Sequence, residues 1–495
     1  MCQIRLAPKI TARTELATRE LVAGPALLVS SSEDDDASKR LGLATAPHQI
    51  LPAAALVGLR RHLLGGALVI WKGKIIKYAM RLSSSVLLTV ASPCPRLRAL
   101  EARILRFARS FWTFGFVKAA VLGAITALFT VNSRADTLWR QYGFNAAHTS
   151  YNDSETVLNP SNVSQLTRFW TSDSFRQEGT APTLGFAAIF VASDGRVHAL
   201  KENNGSTRWA RLSCSGEGTV QPAFGDHVLL VGDGGGDLAA YDPATGRQIW
   251  CDDESGSITS APAVTGDMVY VTNGGDAIAV DQATGIRRWT FTPNDFSPLT
   301  QTPAIANGVV YVTGGSSVFA LDQATGQKIW RHNLEQQLNL SAPSVANGIV
   351  YVGGLAVYAL STTDGHLVWR NRRAGVNVTT PAVAGGRVFV NAEDPGFGLW
   401  AFDAITGRFL WRNQRPGESE STVTVANDVV YDIAENGELM MFEAAQGTFL
   451  GSLADPGGKP FRSVFGSQPI VANGTVYVAT GDFQSRNRVD AFHLP

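Results

Sequence analysis

The chain has 495 residues, in which 42 Lys and Arg balance 42 Asp and Glu, with eight histidines and four cysteines. Its basic clusters, such as residues 370–373, are too isolated to form the basic surface of a nucleic-acid-binding protein, which excludes that class. No CxxCH motif is present, which excludes a fused c-type haem domain. HExxH, P-loop, Rossmann and GxSxG motifs are also missing from the sequence.

The overall charge balance hides an asymmetry along the chain. Residues 1–135 contain 19 Lys and Arg against 7 Asp and Glu, a net charge of +12, whereas residues 136–495 contain 23 against 35, a net charge of −12. Residues 1–110 show no repeat and no clear periodicity. Two interpretations stay open for them: a basic, disordered and non-globular leader, or a start codon assigned too far upstream.

Residues 111–135 have the features of an export signal. A core of thirteen apolar-rich residues, 119–131, follows several basic residues and precedes Ser133-Arg134-Ala135, a small-x-small pattern that predicts cleavage after Ala135. The core is short for a membrane span of about twenty residues. The alternative is an uncleaved membrane tether through residues 111–131, with the flanking charges placing the rest of the chain outside. Both predict export, to the periplasm, the extracellular space or the outer face of the membrane.

Tryptophan recurs every 39 to 42 residues through the rest of the chain. Seven of the eleven tryptophans share this register: Trp170, Trp209, Trp250, Trp289, Trp330, Trp369 and Trp411. One unit, residues 301–330, predicts strands at 302–306, 309–313, 318–321 and 328–330, separated by Asn-Gly, Gly-Gly and Asp-x-x-Thr-Gly turns. A period near forty that contains four short strands is typical of a β-propeller blade.

A proline at the start of the innermost strand is a second marker of the repeat, because this position can lack an N–H without losing a ladder hydrogen bond. It is present in seven units: Pro182, Pro222, Pro262, Pro303, Pro343, Pro381 and Pro469. Val423 replaces it in the seventh unit.

Eight units can be counted, and the eighth reaches Pro495 before a fourth strand. Residues 166–170 have the pattern of a fourth strand without three strands before them. We therefore predict an all-β, eight-bladed propeller of four-stranded antiparallel blades over residues 163–495, whose last blade is closed by this N-terminal strand. Residues 136–162 form a lead-in segment. We expect a monomeric ring.

The tryptophans and two cysteines have predicted structural roles. We expect each tryptophan to dock its outer strand against the neighbouring blade, burying about 150–250 Å² per ring. Cys214 and Cys251 follow fourth strands of adjacent blades, and an exported protein could join them in a disulfide. Because spacing alone does not fix their separation, the pairing stays open.

The pattern AxDxxTGxxxW, nearly intact from Ala240 to Trp250, resembles the repeat of the pyrroloquinoline-quinone (PQQ)-like propellers. That family includes the quinoprotein alcohol dehydrogenases and the propeller lipoprotein of the outer-membrane β-barrel assembly machinery. The resemblance covers residues 139–495, including a lead-in with Trp139, Tyr142 and His148. It implies the fold, and it implies two different functions.

The resemblance to the dehydrogenases implies a quinone over the channel, a tryptophan floor, commonly a disulfide between adjacent cysteines, and calcium with a catalytic aspartate. This sequence has no Cys-Cys pair, and its compact units leave little material for an enclosed pocket. We therefore assign no catalytic or metal-binding residue and expect no cofactor. PQQ with calcium is expected only if the chain is a PQQ-dependent alcohol or sugar dehydrogenase.

The compact blades favour the other implied function, a non-catalytic scaffold that binds proteins or a small ligand on one face of the propeller. Four longer loops, 290–300, 391–398, 451–467 and 481–488, lie between strands whose ends meet on a single face. The candidate binding residues in them are Asp295, Phe296, Asp394, Phe397, Lys459, Phe461, Arg462, Phe483 and Arg486. An equal alternative is that these loops are tolerated surface insertions. A third interpretation of the function is a cell-surface sensor or adhesin.

Overall fold

The computed structural model describes residues 138–175, 179–253, 256–294, 297–334, 340–393, 397–417, 419–434, 436–454, 462–463, 468–481 and 488–495. The chain divides into two units, Met1–Asn132 and Ser133–Pro495, and the described residues all belong to the second. The predicted leader and signal segment, residues 1–135, lie outside the described residues and stay predictions. Within the described ranges, no helix is long and apolar enough to cross a membrane.

Eight antiparallel sheets follow one another along the chain, as the repeat predicts. Before them lie β1 (Tyr151–Asn152), a 3-10 turn (Val163–Gln165) and β2 (Thr167–Thr171). Blade 1 contains β3 (Thr183–Gly185), β4 (Ala188–Ser193), β5 (Arg196–Lys201) and β6 (Thr207–Leu212). Blade 2 contains β7 (Ala223–Phe224), β8 (Leu229–Gly232), β9 (Asp237–Tyr241) and β10 (Gln248–Asp253).

The middle blades repeat this meander. Blade 3 contains β11 (Ala263–Thr265), β12 (Met268–Thr272), β13 (Ala277–Asp281) and β14 (Arg287–Phe291). Blade 4 contains β15 (Ala304–Ala306), β16 (Val309–Gly314), β17 (Ser317–Asp322) and β18 (Lys328–Asn333). Blade 5 contains β19 (Ser344–Ala346), β20 (Ile349–Gly353), β21 (Val357–Ser361) and β22 (Leu367–Asn371).

The last three blades complete the set. Blade 6 contains β23 (Ala382–Ala384), β24 (Arg387–Ala392), β25 (Gly398–Asp403) and β26 (Phe409–Asn413). Blade 7 contains β27 (Thr424–Ala426), β28 (Val429–Ile433), β29 (Leu439–Glu443) and β30 (Phe449–Leu453). Blade 8 contains β31 (Arg462–Ser463), β32 (Ile470–Ala472), β33 (Thr475–Gly481) and β34 (Arg488–His493). The all-β, eight-bladed propeller is confirmed.

The ring closes as predicted, with an N-terminal strand completing the last blade. Strand β2 pairs antiparallel with β34, from Thr167 opposite His493 to Thr171 opposite Asp490, and so supplies the outer strand of blade 8. The Trp170 ring lies 5.9 Å from the ring of Tyr477 on β33. The lead-in also adds β1 parallel to β27, on the inner edge of blade 7.

The predicted loops are shorter in the structure than in the sequence pattern. Asn391 and Gly398, predicted as the ends of a loop, belong to the paired strands β24 and β25, and Gly481 and Arg488 likewise end β33 and begin β34. Thr290 and Phe291, the first residues of the predicted 290–300 loop, likewise belong to β14. The ladders continue past the apolar pattern because main-chain pairing does not depend on side-chain polarity.

Each of the seven tryptophans packs on the next blade. The indole Nε1 of Trp330 donates a hydrogen bond to the Thr362 carbonyl (3.0 Å), and its ring covers Gly365, whose φ is +72°. A Cβ on Gly365 would lie 2.5 Å from the ring, so both the backbone conformation and the contact require glycine. The same donor, carbonyl and glycine recur for Trp170, Trp209, Trp250, Trp289, Trp369 and Trp411.

The seam between blades 7 and 8 lacks this tryptophan because the lead-in occupies its place. Gly451 stands on the outer strand of blade 7, and a Cβ added to it would lie 3.5 Å from Ser164 Cβ. Leu158 of the lead-in packs there against blades 7 and 8, together with Val163 and Leu166, which directly follow the lead-in. The interruption of the repeat therefore has a structural cause.

Candidate functional site

Strand direction sorts the connections onto two faces. The innermost strand runs away from the face that carries the second-to-third-strand loops and the connections between blades, which we call the loop face. The first-to-second and third-to-fourth turns lie on the opposite face, which we call the turn face. All four loops predicted to bind a partner therefore belong to the loop face.

The structure describes two of the nine predicted partner-binding residues. Phe397 is half-buried, immediately before β25, and Arg462 contributes backbone to β31, which pairs with the end of β33. The other seven lie outside the described residues: Asp295, Phe296, Asp394, Lys459, Phe461, Phe483 and Arg486.

The end of the blade 6 loop is held in place by an arginine. Nε and Nη2 of Arg412 both donate to the Phe397 carbonyl, at 3.1 and 2.6 Å. The guanidinium lies over the Trp400 ring, with Cζ 4.7 Å from the ring centroid. A bidentate contact and a cation–π contact together orient Phe397 on the loop face.

A disulfide joins blades 1 and 2 at the outer edge of the loop face. Cys214, just beyond β6, is bonded to Cys251 on β10, with 6.5 Å between their Cα atoms. Among the described residues, Asp237 is the one carboxylate that makes a three-group cluster with these sulfurs. Because both sulfurs are used in the disulfide, a single carboxylate remains, which is too little for a metal site.

The acidic segment of blade 2, residues 232–237, contains a turn that is held by the side chain of Asp233. Oδ1 of Asp233 accepts hydrogen bonds from the N–H groups of Gly235 and Asp237, each at 3.1 Å. Its Oδ2 accepts from Ser215 N, also at 3.1 Å. Both oxygens therefore accept from main-chain N–H groups, Oδ1 within the turn and Oδ2 from the connection between blades 1 and 2.

A buried polar cluster beneath the loop face was missed by the sequence interpretation. Asn391 Nδ2 donates to Asp432 Oδ1 across the seam between blades 6 and 7 (2.7 Å), and Ser419 Oγ contacts the same oxygen (3.1 Å). Asp432 Oδ2 and Asn391 Oδ1 are buried with no hydrogen-bond partner among the described residues. Burial raises the pKa of Asp432 to about 7, and the hydrogen bonds from Asn391 and Ser419 oppose that rise.

The sequence did carry a signal for this cluster. Asp432 stands where the equivalent strands of four earlier blades have Val271, Val312, Val352 and Val390. A carboxyl at an apolar strand position marks a buried polar site, but only the neighbouring blade shows what it contacts.

The central channel is occupied by the lead-in. Hydrogen bonds from the innermost strands of blades 1 to 7 reach residues 139–150 in chain order. Between them, Tyr142 and Gly143 contact blades 7 and 8. The second residue of the innermost strand donates its N–H to the lead-in in seven blades: Leu184 to Trp139 O, Phe224 to Arg140 O, Val264 to Gln141 Oε1, Ile305 to Ala146 O, Val345 to Ala147 O, Val383 to Thr149 O and Val425 to Ser150 O. In blade 8, Asn152 Nδ2 donates to Val471 O (2.7 Å).

Two lead-in side chains have altered proton affinities in the channel. His148 Nδ1 lies 3.1 Å from the Pro343 carbonyl, which assigns the proton to Nδ1, and its Nε2 has no partner among the described residues. Burial lowers the pKa of His148 to about 4, so the imidazole is neutral. The Tyr142 hydroxyl contacts Thr422 Oγ1 (3.1 Å), and burial raises its pKa.

Comparison with known proteins identifies a family. The family described as outer membrane protein assembly factor BamB matches residues 193–317 and 314–491, more than half of the chain. No curated protein matches the chain.

Solved propellers share the fold at low identity. A quinohemoprotein alcohol dehydrogenase from Comamonas testosteroni is 17% identical, with a TM-score of 0.61 over 74% of this chain and 82% of that one. BamB from Moraxella catarrhalis is 17% identical, with a TM-score of 0.53 over 66% of this chain and 99% of that one. The computationally designed Ika8 protein is 16% identical, with a TM-score of 0.55 over 65% of this chain and 98% of that one. These similarities show the fold.

Proposed function

Because the chain belongs to the family described as outer membrane protein assembly factor BamB, we propose that it is an exported, non-catalytic propeller that binds protein partners in the cell envelope. The match across residues 193–491 is the observation that carries this proposal. Compact blades with short turns provide a rigid ring, and the longer loops of the loop face supply the binding surface.

The geometry around Phe397 supports this assignment of the face. Its carbonyl is held by Arg412 while its side chain stays half-exposed, so the loop end is ordered before a partner arrives. Pre-ordering lowers the entropic cost of binding. Aromatic side chains and arginines are also the residues enriched at binding hot spots.

The second candidate is a quinone-dependent dehydrogenase, favoured by the structural similarity to the quinohemoprotein enzyme. The residues described in this chain do not fit the site implied by that resemblance. The disulfide joins the outer parts of two blades, not adjacent cysteines over the channel. The inner-strand edges that line the channel bind the lead-in. We therefore assign no residue to a quinone or calcium.

A photo-crosslinking experiment tests the scaffold. A benzoylphenylalanine replaces Phe397 on the loop face or, as the matched control, Ile405, which is 71% exposed in a turn-face turn of the same blade. We expect position 397 to crosslink to a β-barrel precursor or a component of the outer-membrane assembly machinery, identified by mass spectrometry, and position 405 to remain uncrosslinked. Equal products at both positions, or none of this class at 397, would contradict the proposal.

An activity test separates the two candidates. The purified protein, mixed with PQQ and calcium, should show neither bound-quinone absorbance nor dye-linked alcohol oxidation. Turnover that depends on added quinone would favour the dehydrogenase. Crosslinks at position 397 to a host-cell surface component would favour the sensor or adhesin interpretation.

A further inference from the structure

Each blade carries a repeated pair of main-chain groups at its inner edge, a carbonyl and an N–H. The proline directly before the innermost strand supplies a carbonyl but no N–H, and the residue two positions later supplies an N–H. The carbonyl of Pro182 accepts from Gln221 Nε2 (3.2 Å), that of Pro222 from Thr183 Oγ1 (2.7 Å) and that of Pro381 from Ser344 Oγ (2.6 Å), so neighbouring blades satisfy them. The N–H of each pair faces the channel.

The lead-in satisfies these N–H groups chiefly through its main chain. Six of its seven acceptors are backbone carbonyls, and Gln141 adds a reciprocal pair with Val264, donating from Nε2 to the carbonyl (3.3 Å) and accepting at Oε1 from the N–H (2.6 Å). Main-chain recognition of this kind depends on backbone shape more than on sequence.

The shape of the bound segment is nevertheless specific. Gly143 has φ +64°, and a Cβ there would lie 2.7 Å from the Cα of His148. Gln468 of blade 8 holds the same turn, accepting from Gly143 N (3.1 Å) and donating to Ser150 Oγ (2.9 Å). The segment carries a single ionised side chain, Arg140, which is exposed, as desolvation in the channel requires.

We propose that the central channel is a peptide-binding site, and that residues 139–152 are its exchangeable internal occupant. The ligand class is a peptide with a glycine turn, uncharged side chains inside the channel, and main-chain carbonyls positioned for the inner-strand N–H groups. While the lead-in is bound, the channel is closed to other peptides. This proposal is independent of the partner-binding role of the loop face.

The chain can be cut directly after residues 139–152 without removing any of their hydrogen bonds to the blades. Asp153 and Ser154 are both exposed, in a turn directly after Asn152. Cleavage at a protease recognition sequence inserted between them, in the otherwise complete chain, separates residues 139–152 covalently from the ring. The matched control carries the same insertion between Thr363 and Asp364, which are exposed in a turn-face turn of blade 5.

After cleavage, size-exclusion chromatography and native mass spectrometry measure retention of the N-terminal fragment. An excess of fluorescent peptide covering residues 136–153 then measures exchange. We expect the fragment to stay bound, the peptide to replace it saturably, and a Gly143→Ala peptide to bind at least tenfold more weakly. The control, cut in blade 5, should take up no peptide.

Two results would overturn the proposal. If the fragment leaves at once from a ring that keeps its unfolding midpoint, the channel does not bind it. If the fragment leaves only when the ring unfolds, with no peptide exchange, the lead-in is a fixed part of the fold and not a ligand.

Discussion

The indole of each outer-strand tryptophan makes a hydrogen bond and a ring contact with the turn of the next blade. The donor distances to the carbonyls lie between 2.8 and 3.1 Å in all seven copies. The adjacent glycine, at positive φ, allows the ring to approach. One residue type thus joins neighbouring blades by apolar burial and by hydrogen bonding at once.

Replacement of one docking tryptophan should destabilise the ring measurably. Trp330→Ala removes the ring over Gly365 and leaves the Thr362 carbonyl without its indole donor, so we expect a loss of roughly 3–5 kcal/mol in the free energy of unfolding. Chemical denaturation measures it. Ile329→Ala, at an adjacent position that is 50% exposed, should change stability little. Equal losses in the two variants would rule out the docking role.

Asp432 should make stability fall as the pH rises. The pKa of Asp432 is about 7 in the folded chain and 3.8 in the unfolded chain. Between pH 3.8 and 7 the folded chain therefore binds more protons than the unfolded chain, and its stability falls as the pH rises. Above pH 7 Asp432 is ionised in both states and the folded chain bears the full cost of the buried charge. The full penalty is on the order of 4 kcal/mol, because each pKa unit is worth about 1.4 kcal/mol. His148 acts oppositely: its lowered pKa contributes stability above pH 6.5 that is lost as the pH falls toward 4.

The difference between variants isolates the Asp432 contribution. Asp432→Asn cannot ionise, so we expect it to be more stable than the parent at pH 8 and close to it at pH 4, measured by denaturant unfolding across this range. Asp428→Asn, on the exposed turn of the same blade, is the control and should follow the parent. A parallel pH profile for Asp432→Asn and the parent would show that Asp432 does not titrate in this window.

At the scale of the elements, blades 1 and 2 are joined covalently as well as by Trp209. The disulfide links Cys214, just beyond the fourth strand of blade 1, to Cys251, within the fourth strand of blade 2. The two residues are 37 positions apart in the chain. A covalent link of this kind acts chiefly by limiting the freedom of the unfolded chain.

Removal of the disulfide should lower stability without opening the ring. For Cys214→Ser combined with Cys251→Ser, we expect a loss of roughly 3–4 kcal/mol, as the loop length implies. The parent in reductant should then match the double variant, and reductant should not affect the variant itself. If reductant leaves the parent's unfolding midpoint unchanged, the bond contributes nothing to stability.

At the scale of the whole molecule, two N-terminal elements close the ring. Strand β2 completes blade 8, and residues 139–152 contact every blade from within the channel. The ring therefore depends on contacts between residues separated by more than 300 positions, such as Asn152 and Val471. We expect such contacts to form late in folding, because closing so long a loop costs conformational entropy.

Loss of the last strand should prevent closure. Deletion of residues 488–495 removes β34 and leaves β2 without its partner, so we expect aggregation through the exposed edge of blade 8 and loss of cooperative thermal unfolding. Light scattering coupled to size exclusion, with circular dichroism, measures both. Deletion of residues 494–495 alone is the control and should stay monomeric. A cooperative monomer after the longer deletion would contradict strand closure.

Much of the site could not be predicted from the sequence. Phe397 was identified from loop length, but its support by Arg412 depends on two strands meeting at the blade's end. Asp432 stands in a strand with an apolar pattern, and its partner Asn391 lies 41 residues away in another blade. Side-chain pairing across a seam has no local signature.

The sequence was sufficient to determine the blade count, the strand order and the closing strand. They follow from the period of the tryptophans, the Asp-x-x-Thr-Gly turns and the innermost-strand prolines, because each is local chemistry that most units repeat. Tertiary structure alone decided what fills the channel. The lead-in binds there through equivalent N–H groups of seven separate blades, which come together only after the chain has turned full circle. The same is true of the buried pair Asn391 and Asp432, since a blade seam exists only between completed sheets.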